Sequence, residues 1–204
     1  MNSQAIDDIR LDGGVLCLDF VNTVPDRFDG SNRDLLGDFA DLIYWAKKAK
    51  VIDDATYKSI QRTASKSHSH GNDFLKYAKN LRDLIYSLFH PLVHNQKIKP
   101  RDLSEFNKIA ASYFPFLEVT VTSGGYSEQW NIESNHFQLI TAPIVKSARD
   151  LLLSDKLAKM KECSNCGWLF LDTTKNGKRR WCSMEDCGSK MKALDYYYRK
   201  KKEK

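Results

Sequence analysis

The chain has 204 residues, 42% hydrophobic and 28% charged, with a net charge of +6. That length can bury a core in one domain or two, and no apolar run reaches the roughly 18–20 residues that a membrane-spanning helix requires. The N-terminal MNSQAIDDIRLDGG lacks the basic head and apolar core of a signal peptide, so a cytoplasmic protein with reduced thiols and no membrane partner is expected. Charge is unevenly placed. Residues 155–204 hold fourteen Lys and Arg against seven Asp and Glu, a net of +7; residues 1–154 hold eighteen against nineteen, a net of −1. A near-neutral body with a basic tail points to a polyanionic partner; a solvated, solubilising face is the plainer reading.

Residues 13–24, GGVLCLDFVNTV, form an apolar run without clean alternation, which fits a buried strand or a buried helical turn. Cys17 reads as a core thiol. Asp19, Asn22, Thr23 and Arg27 follow as an ordered polar set. Asn22 and Thr23 suit bonds to backbone groups, and Arg27 suits a pair with Asp19 or an anion. The set is a structural latch or a small-molecule ligand site, with the latch preferred. Residues 29–32 form a turn. Residues 33–52 predict an amphipathic helix, with Leu35, Phe39, Leu42 and Ala46 inward, and Asp53 and Asp54 begin another that carries Tyr57, Ile60 and Ala64. Residues 65–73 read as a loop or weak helix, where His68 and His70 lack a third metal ligand. Residues 74–89 predict a helix facing inward through Phe74, Ala78, Leu81, Ile85 and Leu88 and limited by Pro91. Residues 101–114 predict one more, with Asp102 and Glu105 spaced as a capping box and Asn107 placed to bond across to a neighbouring helix.

At Pro115 the period changes. Leu117, Val119 and Val121 alternate with Glu118, Thr120 and Thr122, which predicts a strand, and Gly124-Gly125 suit a hairpin turn. Residues 126–132 and 136–141 supply one or two more strands, in a small antiparallel sheet lying against the helices. Pro143 starts a helix with Ile144, Ala148, Leu151 and Leu152 on its apolar face, leading into Glu162 and Cys163.

Four of the five cysteines then cluster. Two residues separate Cys163 from Cys166, four separate Cys182 from Cys187, and fifteen lie between the pairs. Two short cysteine pairs at that spacing close a tetrahedral shell, so one structural Zn2+ is expected on Cys163, Cys166, Cys182 and Cys187. Such a shell leaves no position for a catalytic water, and no Ser-His-Asp arrangement, phosphate-cradling glycine loop or paired carboxylates stand out, so no enzyme is expected. Gly167 permits the knuckle turn, residues 168–171 predict a strand, Asn176-Gly177 a turn, residues 179–182 a returning strand, and Ser183 a cap before the last helix. Trp168, Phe170 and Trp181 cover the metal. The fold class is α+β: a mainly helical N-terminal domain with a small antiparallel sheet, residues 1–158, plus a treble-clef-like or ribbon-like four-cysteine zinc module, residues 159–204.

The C-terminal module resembles the CGNR zinc-finger family. The resemblance rests on Cys163, Cys166, Gly167, Trp168, Phe170, Asp172, Arg179, Arg180, Trp181, Cys182, Ser183, Met184, Cys187, Gly188, Lys192 and Ala193. At the Asn-Arg pair that ends the family's namesake motif this chain has Ser189 and Lys190; lysine keeps the charge but not the bidentate fork of arginine. The N-terminal region is similar to the ABATE domain through Leu16, Leu18, Asp19, Phe20, Asn22, Thr23, Arg27, Leu35, Leu36 and Trp45, with Leu81, Arg82 and Asn107 fitting the later pattern. The resemblance implies a stress-related bacterial transcription regulator with a zinc-ribbon-like part that binds nucleic acid. Phosphate contacts are then expected from Lys175, Lys178, Arg179 and Arg180 on the finger, and from Lys190, Lys192, Arg199 and Lys200 to Lys202 on the last helix, where Tyr196 joins Lys190, Lys192 and Arg199 as a groove reader. DNA is the expected partner and RNA the alternative, with the body sensing a small molecule or forming a homodimer. The competing reading is a zinc-stabilised protein-interaction adaptor.

Overall fold

A computed structural model describes residues 9–31, 33–66, 68–132 and 137–202. The first apolar run is a helix, α1 (Leu16–Val21), and Val15 caps it without a side-chain bond. Six residues are too few to hold a helix by propensity. Burial holds it: Cys17, Leu18, Phe20 and Val21 are fully enclosed, and a helix enclosed on most sides shows no apolar stripe in its sequence.

The second helix, α2 (Phe39–Lys48), begins later than the predicted start at residue 33. A reciprocal capping box between Asp38 and Asp41 sets its N-terminus. Leu35 and Leu36 reach the core from the preceding loop, where Leu35 N–H donates to Thr23 O at 3.0 Å and Leu36 N–H to the Asp34 carboxylate at 3.0 Å. Asp53 accepts from Thr56 N–H at 2.7 Å and introduces α3 (Asp54–Lys66). The long α4 (His68–Val93) takes in most of the segment that read as a loop or weak helix and runs on past Pro91. Its C-terminal end holds because Leu88 and Phe89 are buried and Leu92 and Val93 pack against the same core, which outweighs the one hydrogen bond that proline removes.

Helix α5 (Pro100–Tyr113) carries Pro100 in its first turn, and its N-cap, Lys99, makes no side-chain bond. Asp102 and Glu105 therefore lie inside the helix and form no capping box; proline with its fixed φ is the initiator. Asn107 is exposed rather than bonded across to a helix. Tyr113 closes the element with hydroxyl bonds to Tyr77 at 3.0 Å and Thr141 at 2.7 Å.

After a 3-10 turn (Phe114–Phe116), strands β1 (Leu117–Thr122) and β2 (Gly125–Trp130) pair antiparallel, with Leu117 opposite Trp130 and Val121 opposite Tyr126. Only the base of this hairpin docks, through Trp130 against Phe114 and a 2.9 Å pair between Lys146 and Glu128. Its tip does not lie on the helices: Val119, Val121 and Tyr126 are 73%, 82% and 81% exposed. The extra strand expected at residues 136–141 is not one. Residue 136 lies outside the described residues, Phe137 is an N-cap, and α6 (Gln138–Leu152) follows, with Pro143 inside it rather than at its start. Ile140, Ala142, Ile144, Val145 and Ala148 are all fully buried, so the helix is enclosed on more than one side, with Ile140, Ile144 and Ala148 stacked at i, i+4, i+8 on one of them.

A second 3-10 turn (Asp155–Lys159) leads to β3 (Met160–Glu162), which pairs antiparallel with β4 (Leu169–Leu171). The predicted returning strand at residues 179–182 is absent; β4 finds its partner upstream instead. Residues 172–180 are organised around Asp172, which accepts from Lys161 Nζ at 2.7 Å, Arg179 N–H at 2.9 Å and Thr174 N–H at 3.0 Å. A π-helical turn (Met184–Gly188) and α7 (Ser189–Lys202) complete the chain. The result is a helical body, two small antiparallel hairpins and a C-terminal four-cysteine module of treble-clef-like form.

One buried charge pair closes the body. Arg82, 4% exposed, donates to both Asp34 oxygens at 2.8 and 2.9 Å and to Thr23 Oγ1 at 3.1 Å. Burial works against ionisation of Asp34, but the Arg82 bonds and charge outweigh it and hold the carboxyl below its usual range. Such an acid stabilises the fold above its unfolded-state pKa and ceases to do so as pH falls through its folded value. Asp34→Ala leaves the guanidinium only Thr23 Oγ1 and a 3.4 Å contact with Asp83, and chemical denaturation at pH 7 is expected to show a loss of about 2 kcal/mol. The loss should shrink below about pH 4, where the wild type forfeits the same pair.

Candidate metal centre and basic face

The knuckle between β3 and β4 carries the first two thiols. Cys163 N–H donates to Trp168 O at 2.8 Å and Gly167 N–H to Cys163 O at 2.9 Å. Gly167 has φ +72°, and a Cβ there would sit 2.9 Å from Cβ of Arg27, so both the turn and the close approach require glycine. The other two thiols come from the π-helical turn and the residue before its cap. Ser183 Oγ accepts from Glu185 N–H at 3.2 Å and Asp186 N–H at 3.3 Å, and places Cys182 and Cys187 on either side of itself.

All four thiols are buried. The Sγ atoms of Cys166, Cys182 and Cys187 are 3.6–3.7 Å apart. A disulfide needs about 2.05 Å, whereas four thiolates about 2.3 Å from a tetrahedral Zn2+ stand about 3.8 Å apart. The cluster fits one tetrahedral ion and is capable of holding a single metal. Asn165 Nδ2 donates to Cys187 Sγ at 3.3 Å, an outer contact that orients a ligand. Crowding already divides the protons. Hydrogen bonds from Cys166 and Cys182 pull the Cys163 thiol down, while those two are pushed up by the same bonds and Cys187 by burial. Phe170 is buried under the cluster, with Trp168 and Trp181 packed at its sides.

The polar set near the start of the chain sits where the body meets this module. Asn22 Nδ2 donates to Leu169 O at 2.9 Å, and Leu169 N–H donates to Asn22 Oδ1 at 3.1 Å. Thr23 Oγ1 donates to Phe20 O at 2.8 Å. Arg27 does not pair with Asp19. Its Nη2 donates to Val21 O at 2.7 Å, its guanidinium lies 3.7 Å from the Tyr86 ring centroid, and its N–H donates to Cys166 O at 3.0 Å. Asp19 instead accepts from Gly13 N–H at 2.8 Å. Burial raises its carboxyl to about 6, against the pull of the Gly13 bond. Trp168 Nε1 adds a 2.7 Å bond to Val24 O.

The basic residues divide into two kinds. Lys175 and Lys178 are exposed around the turn that Gly177, φ +57°, makes after Thr174. Arg180 is exposed with its guanidinium 5.2 Å from the Trp181 ring centroid. Arg179 turns inward: it donates to Trp181 O and Cys182 O and stacks 4.7 Å from the centroid of Phe170. Lys178, Arg180 and Trp181 line a cleft of about 840 Å³ together with Arg10, Asp12 and Glu185. Lys190, Lys192 and Arg199 are exposed on α7, as are Tyr196, Tyr197 and Tyr198. Sequence reading missed two groupings. Asp34 with Arg82 joins positions far apart in the chain. His90 and His94, an i, i+4 pair whose spacing is visible in the sequence, meet Glu162.

Residues 14–155 match the ABATE family model, described as "Putative stress-induced transcription regulator". The chain belongs to the ABATE family. Residues 159–200 match the CGNR zinc finger, across the Ser189-Lys190 departure. Among curated proteins, none matches the sequence. Both families are non-catalytic regulatory or zinc-finger domains, in agreement with the expectation of no enzymatic activity, and ABATE membership supports a regulatory role. Among the described residues, no helix is long and apolar enough to cross a membrane.

Two outcomes follow from the geometry of this ABATE chain. Metal analysis should find one tightly held ion per chain, and Cys166→Ser should lose it while far-UV circular dichroism retains most of the helical signal of the body. Asp19→Asn keeps an acceptor for Gly13 N–H without the desolvated charge. A buried acid with a raised pKa loses stability as pH rises from its unfolded to its folded value. The wild type should therefore weaken between about pH 4 and pH 6, and the variant should stay flat and end up to about 3 kcal/mol more stable at pH 7 by urea titration.

Proposed function

We propose that the protein is a transcription regulator whose finger, residues 159–204, holds one structural Zn2+ on Cys163, Cys166, Cys182 and Cys187 and binds nucleic acid, DNA before RNA. Residues 1–158 form the regulatory body, in a cytoplasmic protein. The supporting observation is α7. It buries no residue, yet a helix of this length is marginal in water without a surface to pack on. It offers Lys190, Lys192, Arg199, Lys200, Lys201 and Lys202 against a single acid, Asp195, over Ser189–Lys202. Three consecutive exposed tyrosines, Tyr196 to Tyr198, directly precede the Arg199–Lys202 run, with Lys200 Nζ 5.1 Å from the Tyr196 ring centroid, a combination that suits phosphates and bases. Lys175, Lys178 and Arg180 extend the same charge from the rigid finger. Arg179 supports that surface from beneath and contributes no free cation.

Zinc fixes the finger before binding, so little ordering entropy is lost on contact. Lys175→Gln with Lys178→Gln should weaken binding to all sequences alike and lower the log–log salt slope by roughly one unit per lost phosphate contact. Zinc content and Tm should not change. Fluorescence anisotropy on duplex DNA, duplex RNA and single strands over a salt series measures this. Unchanged affinity and slope reject these lysines as contacts.

One observation favours the adaptor reading. The exposed face of Val119, Val121 and Tyr126 is an apolar surface on a projecting hairpin and suits a protein partner or a homodimer better than a polyanion. No wild-type binding to any nucleic acid at low salt would establish that reading in place of the first.

A further inference from the structure

Outside the cysteine cluster, the described residues hold one more set of converging metal-ligand side chains: His90, His94 and Glu162. We infer that these three form a second metal site, for an exchangeable divalent ion of the Zn2+ class, where the body meets the finger.

Three observations carry the inference. The first is spacing. His90 lies in the last turn of α4 and His94 directly follows its end, where His94 N–H donates to Pro91 O at 3.1 Å, so the chain is still turning and the two rings lie side by side; their centroids are 4.7 Å apart. The second is distance. His94 Nε2 lies 2.9 Å from Glu162 Oε2, and His90 Nε2 lies 3.4 Å from Glu162 Oε1. Imidazole nitrogen and carboxylate oxygen bind zinc at about 2.0–2.2 Å, which puts tetrahedral donors about 3.3–3.5 Å apart. Both nitrogen–oxygen distances lie near that separation, and the ligand atoms of all three residues lie within 4.8 Å of one another. The third is an unsatisfied atom. Glu162 Oε1 is buried and has no hydrogen-bond partner, although His90 Nε2 stands beside it at 3.4 Å. A buried carboxylate oxygen without a donor is costly, and a cation between it and the two rings satisfies all three groups. Arg27 senses the charge of Glu162 but is engaged with Val21 O and Tyr86, and forms no ion pair with it.

The donor set selects the ion. Two imidazoles and one carboxylate suit Zn2+ and its transition-metal neighbours, not Mg2+ or Ca2+, which take oxygen shells. Three protein ligands leave one position for water or a further donor, and both rings are more than a third exposed. The ion would therefore be held less tightly than the one within four buried thiols. Its position gives it a consequence. Glu162 ends β3 and directly precedes Cys163, so an ion here clips the C-terminal end of α4 to the strand that carries the first cysteine. Occupancy would tighten the docking of the finger on the body.

The test uses the full chain with its cysteine site filled. Equilibrium dialysis against micromolar free Zn2+, after a mild chelator has removed loosely held metal, is expected to give two ions per chain for the wild type and one for His90→Ala with His94→Ala. Co2+ added to the zinc-loaded protein should produce ligand-field absorption without thiolate charge transfer, absent in the double variant. Both histidines are partly exposed, so the variant should fold, and its retained cysteine-bound zinc reports that it has. Glu162→Gln should likewise lose the second ion, and Zn2+ should raise the Tm of the wild type but not of the histidine variant. Saturation of the wild type at one ion would overturn the inference. So would a second ion that persists in the double variant, since it would lie elsewhere.

Discussion

The side-chain amide of Asn22 stands in for a β-strand. Strand β4 spends one edge on β3, and its other edge would face the body with open backbone groups. Asn22 meets that edge in both directions, giving Nδ2–H to Leu169 O and taking Leu169 N–H on Oδ1. Two positions on, Leu171 N–H donates to Gly13 O at 3.0 Å. Every one of these groups is enclosed, and a buried amide or carbonyl without a partner costs about 1–3 kcal/mol. The edge therefore decides where the finger can sit.

From that constraint the rest of the junction follows. Residues 13–28 wrap the module: Gly13 holds Leu171, Asn22 holds Leu169, Val24 O takes the Trp168 indole, and Arg27 N–H reaches Cys166 O. Met160, Leu169 and Leu171 belong to the apolar core of the body, whereas Phe170, alternating with the last two, lies under the cysteines. A three-residue strand thus has one face in each core. The two family segments share a hydrogen-bonded edge and a hydrophobic interior, so an ion held by the knuckle would also order what the body packs against. The beneficiary is α7, which buries nothing itself and is aimed by the turn that carries Cys187.

Much of this was legible in the sequence wherever the signal was local. Cysteine spacing announced the metal cluster because a knuckle is a local structure, and Ser183 announced its cap for the same reason. Asn22, Thr23 and Arg27 stood out as polar residues in an apolar setting, and they make buried bonds. Residues 16–21 left strand and helical turn both open, because a segment covered on most sides carries no helical stripe, and the helical turn is what forms. Errors came where tertiary burial overrode local pattern. Residues 136–141 are a short run with β-branched Ile140 and Thr141 placed just before Pro143, which favours a strand locally, but Ile140 and Thr141 are both buried within a helix. Pro91 and Pro143 read as boundaries, and packing carried the helices through both. Pairings across the chain left no trace at all: Arg82 finds Asp34 at a separation of 48 residues, and nothing near residues 179–182 reveals that β4 has already taken β3 as its partner.

The central claim is that body and finger are one cooperative unit joined through β4. Native-state hydrogen exchange on metal-loaded and metal-stripped protein, with Asn22→Ala alongside, tests it most directly. Stripping the cysteine-bound metal should raise exchange not only at Cys163, Gly167 and Leu169 but also at Leu18, Asp19 and Asn22, whose amides close α1. Asn22→Ala should keep its metal, yet lose protection at Leu169 and in α1 together. Full protection of α1 in the stripped protein, with exchange confined to residues 159–202, would contradict the account and make the finger an independently folding attachment.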